Sequence, residues 1–179
     1  NGDNSVNNNF GELKSASIGD RVWYDCNVNG LQDSGEVGVS GVTVKLYTAG
    51  ANGTFGDADD VLVATKTTDA SGNYLFNNLS AGSYQVLFDK TTLPAGYGLT
   101  KKDVGSNDAI DSDASLTTGR SQTVVLAAGT QDLTVDAGLH KVGIDVQKYV
   151  SSTQCVTVNN CAGEGASVSY WKGNCTWVS

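Results

Sequence analysis

The stretch Ser83–Asp89, SYQVLFD, decides the fold class. Tyr84, Val86 and Phe88 alternate with Ser83, Gln85 and Leu87, and a period of two puts one face of a strand on a core and leaves the other half-exposed. Similar runs lie on both sides: SIGDRVWY, VTVKLYT, VLVATKT and NYLFNNL before it, SQTVVLA, DLTVDAG and VGIDVQKYV after it. Between them sit NG, SG, AGAN, ASGN and PAGYG, turn signals in which glycine and asparagine accept positive φ. About seven short strands with turns at this spacing and no helical stretch predict an all-β, antiparallel Greek-key β-sandwich of the Ig-like or prealbumin-like kind.

Composition agrees. The 179 residues include Gly 22, Pro 1 and Met 0, with many Asn, Ser and Thr, which compete with a helical backbone for hydrogen bonds. Lys+Arg 11 against Asp+Glu 19 gives a net charge of -8. That balance lacks the basic footprint of a nucleic-acid binder and disfavours anionic lipid, so it argues against both partners and for cations. No run approaches the roughly 18 apolar residues of a membrane span. The first residue is Asn, so the reading expects an excised or processed piece whose signal or anchor lies elsewhere.

Three units are expected: a polar N-terminal segment over 1–16, the sandwich over 17–140, and a cysteine-rich C-terminal β extension over 141–179. The extension carries Cys155, Cys161 and Cys175 of the four cysteines and Trp171 and Trp177 of the three tryptophans. A zinc site would want closer cysteine pairs, and His140 is the sole histidine, so disulfides among Cys26, Cys155, Cys161 and Cys175 are the favoured reading. Stapled acidic β-proteins belong to oxidising compartments, and the expected location is extracellular, secreted or cell-surface.

The stretch DCNVNGLQDSGE, Asp25–Glu36, carries the chemistry. Counted from Asp25, side-chain oxygens fall at positions 1 (Asp25), 3 (Asn27), 5 (Asn29) and 9 (Asp33), a backbone carbonyl at 7 (Leu31), glycine at 6 (Gly30) and glutamate at 12 (Glu36). This is the EF-hand calcium code: alternate side chains converge on one centre, the glycine allows the sharp turn, and the last glutamate offers two oxygens. The flanks read as strands, so it would be a calcium loop without its helices. The competing reading is an Asn/Gly-rich hairpin whose acids are merely solvated. Two further acidic clusters are weaker candidates for Ca2+: Asp57, Asp59 and Asp60, with Asp69 near them if the chain returns as a hairpin, and Asp108, Asp111 and Asp113 beside Asn107. Carboxylates this close repel unless a cation or water intervenes.

In this order, SIGDRVWYDCNVNGLQDSGEVGVSGVTVKLY, TTDASGNYLFNNLSAGSYQVLF, LPAGYGLT, GSNDAIDSDAS and LTVDAGL resemble the B-repeat of serine-aspartate-repeat surface adhesins, calcium-binding relatives of the collagen-adhesin B domain. The resemblance runs from about Ser17 to His140. It implies a calcium-rigidified extracellular β-sandwich used as a stalk or spacer, with neighbouring domains or identical subunits as partners. It carries the main ligand set over to Asp25, Asn27, Asn29, Leu31, Asp33 and Glu36, and makes Asp111 and Asp113 members of further sites. Collagen-adhesin B domains tie first and last strands by a lysine–asparagine isopeptide; here Arg21 and Asp136 stand at those strands, and no crosslink is expected. Cys26, between ligands, is a departure, and so is everything after His140. One consistent pairing joins Cys155 to Cys161 and Cys26 to Cys175, stapling the extension to the loop.

No nucleophile–base pair emerges. His140 is a lone histidine at a strand end, and no GxSxG or Cys–His arrangement accompanies it, so an enzyme is not expected. Trp23 reads as core. The sequons at Asn52, Asn78 and Asn174 are cheap matches in so Asn-rich a chain. Two other readings stay open: a filament or surface-layer subunit assembling by β-strand addition through its terminal segments, and a carbohydrate-binding module using Tyr170, Trp171 and Trp177.

Overall fold

The computed structural model describes residues 14–142. The N-terminal segment up to residue 13 and the cysteine-rich extension, with Cys155, Cys161, Cys175, Tyr170, Trp171, Trp177 and the Asn174 sequon, lie outside the described residues.

Among the described residues nine strands form, β1 (Ala16–Tyr24), β2 (Thr43–Thr48), β3 (Val61–Thr67), β4 (Asn73–Leu79), β5 (Gly82–Phe88), β6 (Tyr97–Leu99), β7 (Val124–Leu126), β8 (Gln131–Asp132) and β9 (Ala137–Lys141). They make two sheets, one ordered β4-β1-β9-β6 with β8 also on β1, the other β3-β2-β5-β7. SYQVLFD behaves as its alternation requires: Tyr84, Val86 and Phe88 are buried, and Val44–Phe88 and Leu46–Val86 face each other in register across β2 and β5. The alternating inward residues of both sheets, among them Ile18, Val22, Val44, Leu46, Phe76, Val86, Phe88 and Leu139, pack as one core. Burying each such side chain contributes about 1.5–3 kcal/mol. Tyr74 meets Phe76 and Phe88 edge-on at centroid distances of 5.8 and 5.7 Å, and its hydroxyl donates to the Val135 carbonyl at 2.6 Å, so a polar tip is satisfied inside an apolar contact. Trp23 is fully buried, as its place in the first strand suggested.

The expectation of a purely antiparallel sandwich needs correction. β1 pairs in parallel with both β8 and β9, because the chain crosses from β7 to the other sheet and re-enters it running the same way as β1. DLTVDAG is not one strand either: the Asp132 carboxylate accepts from the Thr134 N–H at 3.1 Å and its hydroxyl at 2.8 Å, an Asx turn that stops β8 after two residues. VLVATKT is a strand without a buried face, since β3 is the sheet edge and leaves Val61, Leu62 and Val63 exposed.

Parallel first and last strands set the polarity of the module. The described chain enters beside the β7–β8 turn, where Ser17 donates to the Thr130 carbonyl at 3.0 Å, and leaves β9 past the end of β1, at the pole occupied by the loop 25–36.

Candidate metal centre

β1 delivers Asp25 to that pole, and the chain turns back so that the loop closes as a hairpin. Its base is tied by Tyr24 N–H to the Val37 carbonyl at 2.9 Å and Val39 N–H to the Val22 carbonyl at 2.8 Å. Asp25 is fully buried. Its carboxylate accepts from the N–H groups of Asn29 at 3.1 Å and Gly30 at 2.9 Å and from the Thr100 hydroxyl. Glu36, at the other end, accepts from the N–H of Cys26 at 2.8 Å and of Asp33 at 3.0 Å, one on each oxygen. The first and last acids of the code therefore brace the loop across its width. The amides of Asn27 and Asn29 donate to the same Asp33 oxygen at 2.7 and 2.8 Å; a half-turn of either amide replaces its donor by a carbonyl oxygen. Gly30 has φ of 85°, and a Cβ there would meet the Val104 side chain at 2.7 Å and the Lys101 carbonyl at 3.0 Å. Val28, at φ 59°, holds a left-handed conformation that a β-branched residue adopts only under constraint.

The neighbours in that contact belong to the loop that carries DAIDSDAS. It docks on the first loop through main-chain pairing: Leu31 bridges Asp111, Gln32 N–H reaches the Ile110 carbonyl at 2.6 Å, and Ser112 N–H reaches the Gly30 carbonyl at 3.2 Å. Asp108, Asp111 and Asp113 each bring a carboxylate oxygen to within 4.8 Å of the others. Asp111 is buried and its Oδ1 has no hydrogen-bond partner. Asp113, fully buried, accepts from the Gln122 amide and from the Asp136 N–H at 2.6 Å; burial pushes its carboxyl up to about 7 despite those bonds. Asp136, behind it, accepts the Arg21 N–H at 3.1 Å on Oδ1 and leaves Oδ2 unpartnered. Burial first, and Asp20 second, push it up to about 9.

No ion pair among the described residues reaches Asp25, Asp33, Glu36, Asp108, Asp111 or Asp113: the three that form are Lys45–Asp89, Lys102–Asp103 and Arg120–Asp60. Buried carboxylates without a protein counter-charge, one of them with a bare oxygen, fit a hard cation that takes oxygen ligands.

The remaining candidates fall elsewhere. Asp57, Asp59 and Asp60 lie in the loop before β3, at the opposite pole. Asp57 and Asp59 take the Asn52 amide at 2.8 and 3.0 Å, and Asp60 accepts Gly56 N–H at 2.9 Å and pairs with Arg120 at 2.8 Å. Asp69 does not come near them. It follows β3, a seven-residue strand of about 23 Å, and caps the turn to β4 through the N–H groups of Ser71 at 2.8 Å and Asn73 at 2.9 Å. Asn107 likewise closes a local turn on Ala109 N–H at 3.3 Å. Thr100, Gln122 and Asp136 belong to the site's surroundings although no spacing singled them out; only Asp136, an acid inside the apolar run TVDAGL, left a trace in sequence. The cysteine pairings fall on partners outside the described residues.

The SdrD B-like domain family matches residues 16–139. Serine-aspartate repeat-containing protein F of Staphylococcus epidermidis is 39% identical over 125 residues, covering 70% of this chain and 7% of that protein. Serine-aspartate repeat-containing protein C of Staphylococcus aureus is 37% identical over 141 residues, 79% of this chain and 13% of that protein. The chain thus spans a small fraction of the relatives it matches. Among solved structures, the minor pilin GBS52 of Streptococcus agalactiae covers 79% of this chain and 49% of its own length with a TM-score of 0.41 and 16% identity, a likeness too slight to argue from.

Proposed function

Because the chain belongs to the SdrD B-like domain family, and is a structural module of the adhesin type rather than an enzyme, we propose that it is a calcium-stabilised extracellular stalk or spacer of a cell-surface or secreted protein. Asp25, Asn27, Asn29, Asp33, Glu36 and the Leu31 carbonyl would hold one ion; Asp108, Asp111 and Asp113 would hold a second. Calcium would supply there the positive charge that no ion pair among the described residues supplies. The observation that carries the reading is the buried, unpartnered Asp111 oxygen among two other carboxylates, on a loop paired by backbone to the 25–36 loop. Entry and exit at opposite poles support a spacer, since successive units would then extend in line. Cys26, not a free thiol, supports a staple from this pole to the extension, with Cys26–Cys175 and Cys155–Cys161 as the proposed pairs.

A ligand bound only by the folded state stabilises it by about 2.7 kcal/mol at a hundred times its Kd, or roughly 10 °C in melting temperature for a domain of this size. The test is a melt in calcium against a melt in EDTA. A fall of that order is expected, and a smaller one in Glu36→Gln, which removes one of the two ions; melts in calcium and EDTA that coincide for the wild type overturn the reading.

The exposed Val61, Leu62 and Val63 on the edge of β3, which has no strand partner beyond β2 among the described residues, favour one alternative, a filament subunit that adds a neighbour's terminal segment to its sheet. Size measurement with and without residues 141–179 separates the two: a monomer in both cases argues against assembly.

A further inference from the structure

Arg21 lies on β1, four residues before the ion loop, and two of its side-chain donors go to main-chain carbonyls rather than to a carboxylate of the site. Nε donates to the Ser71 carbonyl at 3.1 Å and Nη2 to the Glu36 carbonyl at 3.2 Å, while its main-chain N–H donates to Asp136 Oδ1 at 3.1 Å. Glu36 is the residue asked for two oxygens at the closing position of the loop. From inside the loop its backbone is tied by its N–H to the Asp33 carbonyl at 3.2 Å. From outside, the tie that the structure provides is the Arg21 guanidinium on its carbonyl.

The second anchor of that guanidinium is unusually firm. Ser71 stands in the β3–β4 turn capped by Asp69, and the turn touches the loop's exit without a gap: a Cβ on Gly38 would lie 1.8 Å from the Ser71 carbonyl oxygen, and one on Gly72 would lie 2.2 Å from the Val22 carbonyl oxygen. Val22 N–H in turn donates to the Gly72 carbonyl at 2.9 Å. Loop exit, turn and β1 therefore form one wall, and Arg21 spans all three. A forked guanidinium can serve two carbonyls at once, whereas a single ammonium on a flexible stem cannot hold both directions.

We propose that Arg21 is the positioning residue of the ion loop: its side chain clamps the Glu36 backbone to the β3–β4 turn so that the Glu36 carboxylate is held ready for the cation. The proposal rests on the calcium reading above. β1 remains held by its ladders to β4, β8 and β9 without this side chain, so the loss should fall on ion affinity rather than on the apo fold.

The experiment is calorimetric titration of the whole chain with calcium, together with melts in EDTA, for the wild type, Arg21→Gln and Arg21→Lys. Loss of two hydrogen bonds from a charged donor to partly exposed carbonyls is expected to raise Kd about tenfold in Arg21→Gln, and Arg21→Lys is expected to recover less than half of that loss on a logarithmic scale. Both should melt in EDTA within about 2 °C of the wild type, the range of an ordinary surface change. A Kd within twofold of the wild type in both variants overturns the proposal. So does an equal loss of melting temperature with and without calcium, which marks a purely structural clamp. A wild type that takes up no calcium removes the calcium reading itself, and is told apart because it appears before any variant is compared.

Discussion

The two poles of the sandwich hold acids in similar density and treat them differently. In the loop 49–60, Asp57 and Asp59 are exposed and take amide hydrogens from Asn52, while the buried Asp60 side chain has Arg120 as its counter-charge. At the other pole Asp25, Asp111 and Asp113 are buried, no ion pair among the described residues reaches them, and two loops are locked together by main-chain bonds around them. Acid density is thus a poor sign of a cation site. What distinguishes the second pole is desolvation without a protein cation, which leaves the charge to be met from solution.

The sharpest way to break that contrast is Asp111→Asn, for which the expected sign depends on calcium. In EDTA the variant should melt higher than the wild type, because one of three crowded carboxylates is gone; in excess calcium it should melt lower by several degrees, the equivalent of about 1–2 kcal/mol. A shift of the same sign in both buffers would show that Asp111 is not facing an ion.

A smaller effect is expected where an acid already has its cation. Asp89 pairs with Lys45 at 2.7 Å and caps the turn Lys90–Thr92, and the Lys45 and Thr91 bonds hold its carboxyl down at about 2. A carboxyl lowered on folding contributes stability that is present above its unfolded value, near 4, and is lost as pH falls toward 2. Asp89→Asn should therefore cost about 1 kcal/mol at pH 7, discounted for partial exposure of the pair, and the difference should close between pH 4 and 2 whether or not calcium is present. A gap that persists at pH 2 would place the effect in packing.

The smallest effect belongs to the exposed pole. Asp57→Asn and Asp59→Asn should each leave the melting temperature within about 2 °C of the wild type, with the same melting difference between calcium and EDTA. A calcium-dependent loss in either would make this pole a site as well and erase the distinction between the two.

Much of the fold was legible. VLVATKT and NYLFNNL coincide with β3 and β4, and SYQVLFD all but coincides with β5, because alternation and turn residues are local properties that the backbone obeys whatever surrounds it. The misreadings have local causes too. Asp132 breaks DLTVDAG by folding its side chain onto its own backbone, and the three-residue β6 hides inside a turn-rich stretch. The strict spacing of Asp25 to Glu36 singles out the 25–36 loop as a candidate from sequence alone. Asp69 was grouped with Asp57 because both flank one hairpin strand, and the length of that strand separates them.

The sequence by itself determined an all-β chain, the acid-and-glycine code of the 25–36 loop and an acidic surface suited to cations, since each depends on residues close together along the chain. Only the tertiary structure decided that β1 runs parallel to β9, that DAIDSDAS docks on the first loop, and that Asp113 and Asp136 lose their solvent while Asp57 and Asp59 keep theirs. Burial and counter-charge are set by residues far away along the chain, such as Arg21 beside Asp136 and Arg120 beside Asp60, and a one-dimensional pattern carries no information about which of two equal carboxylates the fold will cover.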